Sequence, residues 1–150
     1  MSQAELPVVD DVMSTTVFTL DADQDLADAY HQLSTKRFSG VPVMRDGAVV
    51  GMLSETDALR GLAAAAFNGG PVGSVGSAMR TPVVSVARGA DLFQVIDTLR
   101  THGVRRAPVL DNGELVGIVT VKDADRALLG VLQSRSVLKR PHHTPGAAWE

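Results

Sequence analysis

Between Thr16 and Phe67 the apolar positions change period three times, and each change predicts an element. Thr16 to Leu20 reads as a short strand. Leu26, Ala29, Tyr30 and Leu33 then recur at steps of three and four, which predicts an amphipathic helix opened by Asp25 and running to about Lys36. Val41 to Met44 and Ala48 to Leu53 flank Asp46-Gly47, the pattern of two strands joined by a tight hairpin. Ser54 begins a second helix that continues into Ala63–Ala66 and Phe67. Ahead of all this, Val8 to Met13 is short, carries Asp10 and Asp11 near its start, and suits one helical turn.

The same order returns. Shifting the chain by 66 residues aligns it with itself without a gap, giving 16 identities in the 53 positions from residue 8 to 60. Met13 meets Met79, Asp25-Leu26 meets Asp91-Leu92, Leu33 meets Leu99, and Val50-Gly51 meets Val116-Gly117. Ala107 to Leu110 and Leu115 to Val119 are the second hairpin, about Asn112-Gly113, and Thr120 ends it and opens a helix near Val121. The expected layout is an N-terminal tail (1–7), one copy (8–67), a turn-rich linker Asn68–Gly73, a second copy (74–132) and a mobile basic tail (133–150).

Composition narrows the function. With 45% apolar and 21% charged residues over 150 positions, the chain is an ordinary globular protein able to bury a core. It has no cysteine, which excludes disulfides, thiolate metal sites and thiol nucleophiles. Residues 1–11 carry no Lys or Arg and no apolar targeting core, and the longest apolar run, Leu62–Phe67, is too short to span a bilayer. A cytoplasmic protein without membrane contact is expected. Net charge is −3, yet eight of the fourteen cations fall between Arg100 and Arg140. With six aromatic residues in all, that asymmetry reads as a solvated face and basic tail rather than a nucleic-acid groove.

Two Ser/Thr-x-x-Asp elements, Ser54/Asp57 and Thr120/Asp123, stand where strands pass into helices. A capped helix start presents free amides, and an ionised carboxylate accepts hydrogen bonds only, so the pair suits a vicinal diol beside an anion. Arg105, Arg106 and Lys122 flank the second element, while the first copy has Ser39, Gly40 and Thr56 at those places. The plain alternatives are two capping boxes and arginines paired with Asp111 or Glu114. His142 and His143 lack the spacing of metal ligands on one helix face. His31 and His102 have no Ser or Asp arrangement beside them that would form a triad.

Val12-Met13-Ser14-Thr15 and Ala78-Met79-Arg80-Thr81, Val41-Pro42-Val43-Met44 and Ala107-Pro108-Val109-Leu110, the two Val-Gly motifs, and Asp57 and Asp123 together resemble a tandem pair of CBS (cystathionine-β-synthase-type) motifs, or Bateman module. The resemblance covers residues 8 to about 130. It implies an α/β (α+β) fold of two pseudo-two-fold-related repeats, each with a small three-stranded sheet and two packed helices, and two clefts for adenosyl ligands. Carried over by position, the first site would use Thr16, Ser39, Gly40, Val41, Ser54, Thr56 and Asp57. The second would use Val83, Arg105, Arg106, Ala107, Pro108, Thr120, Lys122 and Asp123, with its cations able to reach across the pseudo-dyad.

The function expected is a stand-alone regulatory module, not an enzyme. It would need no cofactor or metal, bind AMP, ADP, ATP or a related compound such as S-adenosylmethionine, and modulate an unidentified partner protein. The apolar helix faces, including Ala127, Leu128, Val131 and Leu132, suggest a homodimer. The alternative is a scaffold or dimerisation module whose clefts stay empty.

Overall fold

A computed structural model describes residues 6–135. The expected elements recur in both halves at a spacing of 66 residues. After a 3-10 turn at Val9–Asp11 come β1 (Leu20–Asp21), α1 (Leu26–Lys36), β2 (Gly40–Arg45), β3 (Ala48–Ser54) and α2 (Glu55–Asn68). The second half has α3 (Val75–Ala78), β4 (Val86–Ala87), α4 (Leu92–Thr101), β5 (Arg106–Asp111), β6 (Glu114–Thr120) and α5 (Val121–Ser134). Each half builds a three-stranded sheet, β1-β2-β3 and β4-β5-β6, with a parallel first pair and an antiparallel hairpin. The hairpin turns use positive φ at Asp46 and Gly47 and at Asn112 and Gly113, as their sequences require. The tail from residue 136 onward, with His142 and His143, lies outside the described residues.

The helical periodicity places the cores. Leu26, Ala29 and Leu33 of α1 pack with Val41, Val43 and Leu53 of the first hairpin. Leu92, Val95 and Leu99 pack with Ala107, Val109 and Val119 in the second half. Each core also contains one residue from the opposite copy. Val9 is buried in the second core and Val75 in the first.

The short leading segments are therefore exchanged between repeats. Val9 N–H donates to the Ala90 carbonyl at 2.7 Å, and Leu92 N–H to that of Pro7 at 2.9 Å. The mirror bonds are Val75 N–H to Gln24 and Leu26 N–H to Gly73. Asp10 reinforces the exchange by accepting from Arg88 Nε at 2.7 Å and Gly89 N–H at 2.8 Å. Those two bonds, the Arg88 one first, hold the Asp10 carboxyl below its ordinary pKa.

This exchange corrects the expected strand at Thr16–Leu20. Ser14 pairs with Ile118 of β6, whereas Leu20 pairs with Val43 of β2. Residues 15–19 cross from one sheet to the other, so only Leu20 and Asp21 join the ladder. Ser14↔Ile118 and Arg80↔Met52 are images of each other, as are Val8↔Asp91 and Ser74↔Asp25, which gives the two halves a pseudo-two-fold relation.

Candidate functional site

The starts of α2 and α5 carry the same local device. Ser54 Oγ accepts from Asp57 N–H at 3.0 Å, and the Asp57 carboxylate accepts from Ser54 N–H at 3.2 Å. Thr120 and Asp123 repeat both bonds at 3.1 and 3.0 Å. Both elements are thus capping boxes, and capping alone accounts for their spacing. What differs is the neighbour of each carboxylate.

Asp57 is buried, 7% exposed, and both its oxygens accept from Arg80 Nε, at 3.1 and 3.2 Å. Burial pushes its carboxyl pKa up, but the hydrogen bonds with Ser54 and Arg80 outweigh that and hold it below the ordinary value. Asp123 is more open, its side chain 21% exposed; Arg126 lies 3.7 Å from it just as Arg60 lies 3.7 Å from Asp57, so that contact is common to both. Arg80 has its positional counterpart in Ser14, whose hydroxyl donates to the Thr16 carbonyl. The asymmetry therefore comes from one residue on the exchanged segment.

Arg80 and Asp57 lie in a cleft of about 490 Å3 between the repeats. The first repeat contributes Gly40, Ser54 and Thr56 to its wall, and the segment after α3 contributes Thr81, Pro82 and Val84. The loop before β5 adds Gly103 to Arg106. That loop is pinned where Val121 N–H donates to the Arg105 carbonyl at 2.9 Å, at the start of α5. Arg106 crosses to the first repeat, where it donates to Ser39 Oγ and overlies Gly40. A Cβ on Gly40 would stand 2.9 Å from the Arg106 guanidinium, so glycine leaves the room that the crossing needs. Burial first, and the Arg105 charge second, lower the Arg106 pKa. An anion in the cleft would offset both by pairing with the guanidinium.

The structure thus brings Gly40, Ser54, Thr56, Asp57, Arg105 and Arg106 together, with Ser39 behind them. The carry-over from the resemblance set the arginines with Thr120 and Asp123 while leaving them able to reach across the pseudo-dyad; both line the cleft beside Asp57, and Arg106 makes the crossing contact. Arg106 does not pair with Asp111 or Glu114, since Asp111 faces Arg88 at 3.5 Å. Val41, Ala107 and Pro108 are buried in the cores, and Lys122 is exposed on α5. Thr16 and Val83 are not in the cleft wall. Segment exchange carries residues 14–16 toward β6 and residues 80–84 toward Ser54 and Asp57. Sequence reasoning missed Arg80 as a site residue. Its only signal was the loss of 66-residue symmetry at Ser14, which has meaning only once the exchange is known.

Residues 8–64 and 72–130 each match the CBS domain. The chain belongs to the CBS-domain family. The CBS domain-containing protein YhcV of Bacillus subtilis (strain 168) is 33% identical over 116 residues, which are 77% of this chain and 81% of that protein. Crystalline CBSX2 of Arabidopsis thaliana in complex with AMP superposes with a TM-score of 0.71 at 26% identity, covering 83% of this CBS pair and 97% of that chain. The CBS pair of MJ0100, in complex with 5′-methylthioadenosine and S-adenosyl-L-methionine, shares the fold with a TM-score of 0.71 at 21% identity, covering 83% of this chain and 98% of that one. The chain spans only 20% to 23% of the inosine-5′-monophosphate dehydrogenases that it also resembles. Among the described residues, no helix is long and apolar enough to cross a membrane, and no group of three or more His, Asp or Glu is placed to hold a metal ion.

Proposed function

We propose that this CBS pair is a regulatory module that binds an adenosyl ligand in the cleft around Ser54 and Asp57 and reports its occupancy to a partner protein. The observation that carries this reading is the meeting of a carboxylate from one repeat with Arg105 and Arg106 from the other across one cavity of nucleotide size. Asp57 offers acceptor oxygens for a ribose diol, the α2 start offers amides, and the arginines offer paired donors for phosphate. AMP bound to CBSX2, a relative of the same fold, supports the ligand class. The reading is one of binding rather than turnover, which the chain's likeness to the stand-alone CBS domain-containing protein YhcV supports.

A ligand held by both repeats biases their relative packing, and a partner with different affinity for the two arrangements reads that bias. A second copy of the chain is the natural platform. Leu59, Ala63 and Ala66 form an outward stripe on α2, with Phe67 90% exposed at its end and Leu129 49% exposed on α5. Of the four α5 residues expected to form this face, Ala127 and Val131 pack into the second core instead.

Titration calorimetry with AMP, ADP, ATP and S-adenosylmethionine tests the reading. Micromolar dissociation constants for at least one of them are expected. Absence of heat for all four contradicts the sensor role and favours a scaffold whose clefts stay empty.

A further inference from the structure

We propose that the cleft selects by charge: it takes an adenine nucleotide whose phosphates carry at least two negative charges, and Arg80 moves from Asp57 to those phosphates as the ribose takes its place. This builds on the adenosyl-binding reading above and adds a ligand class and a moving part.

Three observations carry it. First, the cleft wall holds three guanidinium groups, Arg80, Arg105 and Arg106, against a single carboxylate, Asp57. Arg105 has no acidic partner among the described residues, and Arg106 rests on a neutral hydroxyl. The site therefore has a surplus of positive charge before any ligand enters. A nucleotide phosphate neutralises that surplus, an uncharged nucleoside leaves it in place, and the sulfonium and ammonium groups of S-adenosylmethionine add to it.

Second, the acceptor face that a diol needs is already in use. Arg80 Nε lies against both Asp57 oxygens, one of which also takes Ser54 N–H, Arg60 stands 3.7 Å from the other, and the residue is only 7% exposed, so the face of the carboxylate is covered. A ligand whose ribose reaches Asp57 must displace Arg80, and only a ligand with its own anion gives that guanidinium a new partner inside the cleft.

Third, the displacement asks nothing of the backbone. Arg80 N–H donates to the Met52 carbonyl at 2.7 Å and the Arg80 carbonyl accepts from Met52 N–H at 3.1 Å, so the peptide is anchored to β3. The side chain, by contrast, is 72% exposed, and among the described residues its hydrogen bonds go to Asp57 alone. Because Arg80 lies on the exchanged segment that joins α3 to β4, its change of partner replaces a direct bond between the repeats with one made through the ligand. At the second helix start Ser14 stands where Arg80 would be, so Asp123 has no such latch.

Calorimetry on the full chain with adenosine, 5′-methylthioadenosine, S-adenosylmethionine, AMP and ADP tests this, using wild type, Arg80→Gln, and the Arg105→Gln/Arg106→Gln double variant. For wild type, AMP and ADP should bind about tenfold or more tightly than the three ligands without phosphate, the scale of one or two charge-assisted contacts. Arg80→Gln frees Asp57, so adenosine should bind severalfold more tightly while the preference for ADP over adenosine shrinks about tenfold. The double variant should lose most of that preference. Arg80→Lys keeps the charge without the planar guanidinium and should fall between wild type and Arg80→Gln; melting curves on every variant establish that it is folded. Adenosine or S-adenosylmethionine binding as tightly as ADP overturns charge selection but leaves the adenosyl reading standing. An unchanged ADP preference in Arg80→Gln overturns the role of Arg80. Failure of every ligand to bind wild type removes the adenosyl reading and this inference with it.

Discussion

Asp57 does two jobs with one carboxylate, capping α2 and anchoring Arg80, and in the function proposed above it is also the acceptor for a ligand. Its pKa lies below 3.8, so the stability it contributes is complete above that pH and is lost as pH falls through the lower folded value. Asp57→Asn keeps the shape and removes the charge. It should cost about 1–3 kcal/mol at pH 7, the range for a buried hydrogen-bonded group losing its ionic partner, and the acid limb of the stability curve should flatten. Asp123→Asn, without an arginine in the place of Arg80, should change less. Urea unfolding from pH 7 down to about pH 3 checks both; equal losses for the two variants would show that Arg80 adds nothing. Both aspartates were legible in sequence because a cap fixes its partner three residues away. Arg80 was not, because its bond to Asp57 spans 23 residues and depends on where the exchanged segment lands.

The exchanged segments explain elements that the hydrophobic pattern left open. Met79 lies on Gly51 of β3, and Met13 lies on Gly117 of β6, each from the opposite copy. A Cβ at Gly51 would stand 2.5 Å from Met79 Sδ and 3.0 Å from the Arg80 carbonyl. Gly51→Ala should therefore destabilise by about 1–3 kcal/mol, the usual cost of forcing an extra methyl into a packed contact. Met79→Ala in the same chain should recover only part of that loss, because the Arg80 carbonyl is backbone. Complete recovery in denaturant melts would mean that the backbone approach is looser than described. The hairpins and long helices could be read from period and turn residues, since those are decided locally. The strand expected at Thr16–Leu20 shortened to two residues because Ser14 and Leu20 serve different sheets, a long-range fact with no local signature.

At the scale of the whole molecule, duplication sets the fold and departures from it mark the proposed site. The 66-residue repeat predicted two like halves, and both sheets, both cores and both capping boxes follow it. Function is expected where the halves differ: Arg105, Arg106 and Arg80 have Ser39, Gly40 and Ser14 as their counterparts, and all three arginines turn into one cleft. A ligand there touches both repeats and the segment that threads between them, so its binding energy acts on their relative position. The central claim is that a nucleotide occupies this cleft, and a crystal structure of the chain grown with saturating ADP addresses it most directly. The account predicts the ribose on Asp57, the phosphates against Arg105 and Arg106, and Arg80 withdrawn from the Asp57 carboxylate. A nucleotide bound elsewhere, or a cleft without nucleotide in which Arg80 still holds Asp57, would contradict it.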